Sequence, residues 1–454
     1  MGKVIDERVL RFVLPALAAA LIAPLPQAAL AQQTAWHDAA GNGGAAAQIR
    51  HEIADHANKD LRPFYAARGN APLWLDTFDR PSDAATLLLL RMRTADRDGV
   101  DPATLDLDKL SKALDRARDG GAADAAKAEL ALSAAFVEYV QAMRRATHVA
   151  MLYESPTLAP SPPGPSQALE AAATAPSLEG YIDAMGWMNP LYAPLRKALD
   201  DPRYTATQRE VIAANLERVR AIPEMAEGKH ILVDAASARL WMYDGDKVVD
   251  TMKVVVGNPV LGETPMMAGW IRWAIENPYW EVPNDITQKE IAPDVLKSGV
   301  RYLKIHGYEV LAGWDSDSPI LDPSDVDWKA VHDGSLQVHV RQRPGGENFM
   351  GKVKFEFPNP DGIYLHDTPA KQLMKKDARQ LSHGCIRMEN AALMHQWLMG
   401  EPIPSNAPPE DKVPLAKPVP IYVTYLTALP SGGEIVFHDD PYKRDGDIRL
   451  ATAD

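Results

Sequence analysis

The chain has 454 residues with a formal net charge of −13 at pH 7, and hydrophobic residues make up 46% of it. That length allows two or three domains with sizeable cores, and the acidic balance argues against nucleic acid as a partner. There is a single cysteine, Cys385, so no internal disulfide can form and packing alone must hold the fold.

The opening residues carry Lys3, Arg8 and Arg11, then an apolar run from Phe12 to Ile22, then the small-residue tripeptide Ala29-Leu30-Ala31. This order reads as a cleaved export signal over 1–31. The apolar run is shorter than the ~20 residues a bilayer span needs, and prolines interrupt the region. No retained membrane span is expected, and the mature chain is placed in the periplasm. An exposed thiol there is open to oxidation, so Cys385 is either a small buried hydrophobe or a reactive group.

Residues 32–227 read as a helical scaffold domain. From Ala122 to Glu154 there is neither Gly nor Pro, and Leu132, Phe136, Tyr139, Val140 and Met143 recur on one helix face. "TQREVIAANLERVRAI" opens with Thr207 and Glu210 as a capping box. Between these stretches, 155–165 holds five prolines, a stiff extended segment that is either a spacer or a wall beside a groove.

After Gly228 the period changes to short β-rich runs, the first two split by the hairpin signal Asp244-Gly245. "WIRWAI", "SLQVHV", "VKFEF", "GIYLHD" and "PIYVTYLTAL" continue the pattern, and a stretch of mixed helix and turn signals between them reads as an insertion. The fold class is therefore α+β: the scaffold, then a mainly-β domain over 228–430, then a tail over 431–454.

Around the thiol, "SHGCIRMENAALMHQWLMG" offers Gly384 for close backbone approach and a helix expected to start at or just after Cys385 and to end at Gly400. A thiol at a helix N-terminus would be biased toward thiolate, and the neighbouring amides could hold an oxyanion. His366 and His383 are the candidate bases; His366, at the end of "GIYLHD", is the stronger, its ring oriented through the Asp367 carbonyl or carboxylate. A metal site from His366, Asp367, His383 and Cys385 lacks a close-spaced ligand pair. No cofactor is expected.

These residues resemble the L,D-transpeptidases with a YkuD-type catalytic domain, whose signature is a histidine followed by [S/T]-x-G-C and usually Arg or Asn: here His366, Ser382, His383, Gly384, Cys385 and Arg387. "NPYWEVPNDITQKEI" and "VRQRPGGENFMGKVKFEFPNPDGIYLHDTPAK" extend the similarity to the large YcbB-type branch. The resemblance implies an enzyme that cross-links peptidoglycan stem peptides and glycan strands and that carbapenems acylate. It implies Cys385 as nucleophile, His366 as base, and the amides of His383, Gly384 and Cys385 as oxyanion hole. It further implies Tyr364, Arg387, Asp367 and Ser382 at the substrate, and a capping insertion over about 280–314. The peptidoglycan-binding module usual in that branch has no room in "LYAPLRKALDDPRYTATQREVIAANLERV", which favours 1,3 over 3,3 cross-links. Hydrolysis by the same dyad, as an L,D-carboxypeptidase or a lipoprotein-releasing enzyme, and a non-catalytic wall-binding role are the alternatives.

Overall fold

The computed structural model describes residues 44–446 except 146–147, 225–226 and 316–317; the expected export signal lies outside the described residues. No helix among the described residues is long and apolar enough to cross a membrane.

The scaffold is helical, as its periodicity predicts. Helix α1 (Ala122–Met143) buries Leu132, Phe136, Tyr139, Val140 and Met143. Its core is closed by T-shaped ring contacts of Phe136 with Trp74 and Trp187. Helix α2 (Tyr192–Ala198) and helix α3 (Ala206–Arg220) follow. The box capping α3 is Thr205 and Gln208 rather than Thr207 and Glu210. A turn in which the Tyr204 amide donates to the Asp201 carbonyl lets helical geometry begin at Ala206, so Thr207 already lies inside the first turn.

The proline segment joins the two halves. Strand β1 (Leu152–Tyr153), just before it, pairs in parallel with the catalytic sheet at Met267 and Ala268. Leu158 is buried in the catalytic core, while the Pro163 carbonyl accepts from Gln141 of α1. The segment thus runs from one domain back to the other.

The mainly-β domain begins with β2 (Lys229–Asp234), β3 (Arg239–Asp244), β4 (Lys247–Gly257) and β5 (Met267–Glu276). After β5 the chain leaves the sheet to build a cap from β6 (Trp280–Val282), β7 (Tyr308–Leu311), β8 (Ile320–Leu321), β9 (His339–Gln342) and short helices. These strands pair in the order β6-β9-β7-β8 around a separate core of Val282, Val295, Leu303, Val310, Trp328 and Val340. The cap therefore extends to Gln342 instead of ending near 314: β9, which begins at the end of the "SLQVHV" run, pairs with β6 and β7 and not with the main sheet.

The chain then returns through β10 (Val353–Glu356), β11 (Tyr364–His366), β12 (Gln380–Ser382), β13 (Ile386–Met388) and β14 (Asp411–Thr424). The order β5-β10-β11-β13-β4-β3-β2-β14, with β14 pairing back onto β5, closes eight strands into a ring. Phe355, Leu365 and Ile386 face its core together with Met394 of helix α4 (Ala391–Met399). Gly400, in the left-handed region, ends α4 as expected.

Residues 431–446 are built into the domain. Strands β15 (Ala428–Ser431) and β16 (Glu434–Phe437) form a hairpin whose Leu429 and Ile435 join the scaffold core. Asp445 pairs with the buried Arg218 of α3 at 2.6 Å and accepts from Thr427 at 2.8 Å. Asn215, fully buried on α3, donates to Thr427 Oγ1 and accepts from the Thr427 amide. This hub locks the scaffold to the sheet. Asn215→Ala strands the Thr427 amide without its acceptor, and the expected loss is about 2–3 kcal/mol, read as a lower urea midpoint.

Candidate active site

Strand register decides what shares a face here. On β11 and β13, paired in parallel, Leu365 lies opposite Ile386 and His366 opposite Arg387; one step further back, Tyr364 meets Cys385. Because side chains alternate along a strand, Leu365 and Ile386 turn into the core while Tyr364, His366, Cys385 and Arg387 share the other face. Strand β10 extends both rows, with Lys354 opposite His366 and Glu356 opposite Tyr364. One row therefore reads Glu356, Tyr364, Cys385, and the next Lys354, His366, Arg387.

Cys385 sits at a turn that only glycine can make. Gly384 has φ +115°, and a Cβ there would come within 2.8 Å of Ile363 Cδ1. Thr264 Oγ1 donates to the Gly384 carbonyl at 2.6 Å, and Tyr442 ties the preceding loop by donating to the Gly257 carbonyl at 2.7 Å. Ser382 is buried and closes the turn from within: its hydroxyl donates to the Cys385 carbonyl at 2.6 Å and accepts from the Gly384 amide at 3.2 Å. Ser382 thus staples the turn, and the Gly384 amide is already engaged by its hydroxyl.

The expected helix at the thiol is absent. Strand β13 follows Cys385, and α4 begins only at Ala391, capped by Asn390. Pairing of 386–388 with both β11 and β4 outcompetes helix formation, so no helix dipole acts on the sulfur. Burial instead pushes the thiol pKa up, against the Tyr364 amide, Arg387 and Lys354, which lower it. Cys385 is half-buried, and its S–H points at the Gly362 carbonyl at 3.6 Å.

His366 is 2% exposed, and burial together with Arg387 lowers its pKa to about 3. Its Nδ1–H donates to the Asp367 carbonyl at 2.6 Å, which fixes the tautomer and leaves Nε2 as the basic atom. The Asp367 carboxylate takes no part in that hydrogen bond. It pairs with Lys371 at 2.7 Å and accepts from the Lys352 amide, because Gly351 (φ +64°) brings the backbone against it. The resting pair is therefore a neutral thiol beside a neutral imidazole, not the expected thiolate.

His383 does not enter the strand rows. Its Nε2 pairs with Glu290 at 3.0 Å, on a π-helical turn (Thr287–Ile291) of the cap, so it bridges the Cys385 turn to the cap. Burial opposes the Arg387 charge while Cys385 and Glu290 favour it, and its Nε is buried without a hydrogen-bond partner. Such a cation is available for an anionic group of a ligand. Burial, then Glu356, raises the Tyr364 phenol, keeping it a proton donor.

Sequence reading missed Thr264, Tyr442, Glu290, Lys354 and Glu356. The first three reach the site only through tertiary packing. Alternation in "VKFEF" did carry a signal for Lys354 and Glu356: it sets both on the face opposite the core-facing Val353, Phe355 and Phe357.

Comparison with known proteins agrees with this construction. The YkuD family, described as the L,D-transpeptidase catalytic domain, matches residues 228–421, and a family described as Scaffold domain matches 59–199. A Haemophilus influenzae protein whose name includes L,D-transpeptidase is 29% identical over 422 residues, covering 89% of this chain and 82% of its own. Among solved structures, the Ldtfm–avibactam carbamoyl enzyme aligns at 15% identity and TM-score 0.21, over 44% of this chain and 49% of that one. Mycobacterium tuberculosis L,D-transpeptidase 1 aligns at 13% identity and TM-score 0.19, over 44% and 63%. The chain spans less than two thirds of either structure. Residues 228–421 belong to the YkuD family, and the chain is an enzyme of the L,D-transpeptidase type, its catalytic domain mounted behind a helical scaffold.

Proposed function

We propose that the enzyme cross-links peptidoglycan in the periplasm through a thioester on Cys385, with the side-chain amine of meso-diaminopimelate as acceptor. One observation carries the reading: the β11–β13 register sets His366 and Cys385 on one face, the imidazole already oriented through Nδ1. As Sγ attacks the donor carbonyl, its proton passes to His366 Nε2 and then to the departing amine. The C–N bond breaks and the thioester remains. The acceptor amine then attacks, the C–S bond breaks, and a new amide forms without an outside energy source. The His383 and Cys385 amides hold the oxyanion, since the Gly384 amide is engaged by Ser382. Arg387 receives a carboxylate of the stem, and Tyr364 lines the donor path.

Burial costs the neutral pair nothing and opposes charge separation until substrate arrives. Imidazolium and thiolate then stabilise each other in the same step. The cap, tied to the nucleophile turn by Glu290 and His383, keeps water from the thioester. Cross-links of the 1,3 kind are favoured over 3,3, because residues 199–205 alone connect α2 to α3 and leave no space for a glycan-binding module.

Two outcomes are expected. A carbapenem gives a single mass adduct mapped to Cys385, absent in Cys385→Ala, and purified enzyme with muropeptides yields 1,3 dimers by mass spectrometry. Exclusively 3,3 dimers would overturn the linkage assignment, and trimmed monomers alone would assign hydrolysis. In addition, iodoacetamide alkylation of the resting enzyme rises with pH through and beyond about 8.5 and shows no inflection near the ordinary imidazole value of about 6.5. A rate already level below neutrality would reveal a preformed ion pair.

A further inference from the structure

Lys354 is 7% exposed on a strand whose core-facing neighbours are apolar, and the reaction above gives it no task. A buried ammonium persists only where it is paired. Here Glu410 Oε1 lies 2.8 Å from its Nζ and Glu356 Oε1 3.4 Å. Burial works against the charge, but these two carboxylates outweigh it, so the lysine stays protonated. Its Nζ stands 5.8 Å from the centroid of the Tyr364 ring, the ring in the row of Cys385, and its Cα partner across the strands is His366.

The pairing carboxylate is itself held under strain. Glu410 has φ +57°, a region that non-glycine residues seldom occupy. Its amide donates to the Asn277 carbonyl at 3.0 Å, and Asn277 also has positive φ, +48°. The second Glu410 oxygen accepts from the Tyr279 amide at 2.7 Å, where the chain leaves the sheet for the cap. Two strained residues at the root of the cap thus fix one carboxylate, and that carboxylate fixes Lys354. On the outer side, Lys412 lies 3.8 Å from Glu356 Oε2 and 4.1 Å above the Trp273 ring, closing the array.

We propose that Lys354 is a positioning residue for Cys385: held by Glu410 and Glu356, it steadies the Tyr364 ring and sets a fixed positive charge on the face that carries the thiol. Together with Arg387, on the far side of His366, it gives the sulfur a cationic surround that favours the anion formed during attack. This rests on Cys385 as nucleophile, but its test needs no substrate. Alkylation of the thiol therefore reads the field whether or not the enzyme turns over muropeptides.

The experiment follows Cys385 alkylation by iodoacetamide against pH in the full chain, by intact mass, with thermal melting as the check on folding. Lys354→Met is expected to move the alkylation midpoint up by about one pH unit and to slow the reaction at neutral pH about tenfold. Lys354→Arg, which keeps the charge, is expected to stay within about threefold of the parent rate. Glu410→Gln removes a counter-charge while Glu356 still holds the lysine, and should move the midpoint in the opposite direction, downward; this arm stands even where Lys354→Met fails to fold. A folded Lys354→Met whose profile overlays the parent overturns the proposal. So does equal impairment by Met and Arg, or an upward shift in Glu410→Gln, each of which reduces Lys354 to a packing element.

Discussion

Parallel pairing of β11 with β13 is the constraint on which the site depends. A slip of one residue would carry His366 and Tyr364 into the core and turn Leu365 outward, and the apolar packing of Leu365 and Ile386 forbids it. The hydrophobic core therefore specifies the active-site geometry indirectly, by fixing which side chains may point away from it. The turn at Gly384 delivers the thiol to the end of that register, and Thr264, Ser382 and Tyr442 hold the turn from three separate segments. None of the three needs to touch substrate to be necessary.

Electrostatics at the site rest on a balance of burial against fixed charge. Desolvation disfavours both ionised partners, raising the thiol and lowering the imidazole. Arg387 acts on both in the direction of a neutral histidine and an anionic sulfur. A neutral resting pair is less open to oxidation than a standing thiolate, because thiolate character governs susceptibility. Protection and reactivity are separated in time by proton transfer rather than in space by a shield.

Much of this architecture is legible in the residues. Period-2 alternation in "VKFEF" and "GIYLHD" located the strands and their faces, and the helical stripe of 132–143 located the scaffold core. Where the reading went astray, tertiary pairing overrode a local signal. "IRMENAAL" has the composition of a helix entry, yet 386–388 gain two strand partners that no local propensity announces. The engagement of Ser382 by two backbone groups is likewise set by the turn's three-dimensional closure, which no local pattern announces. The cap's extent was hidden for a related reason, since β9 has the same apolar alternation as the main-sheet strands and only its partners distinguish it.

Separate domains alone would not explain how the cap stays in register with the dyad. The cap core of Val282, Leu303, Val310 and Val340 is separate from the core of the main sheet. Polar and directional contacts join them: Glu290 to His383 at the Gly384 turn, and the Asn277–Glu410–Tyr279 bonds at the root. Polar contacts of this kind cost less to break and remake in water than apolar packing does, so a cap held by them can admit a peptide without unfolding its own core. The root is the stiffer of the two attachments, because strained backbone persists only where its surroundings over-determine it.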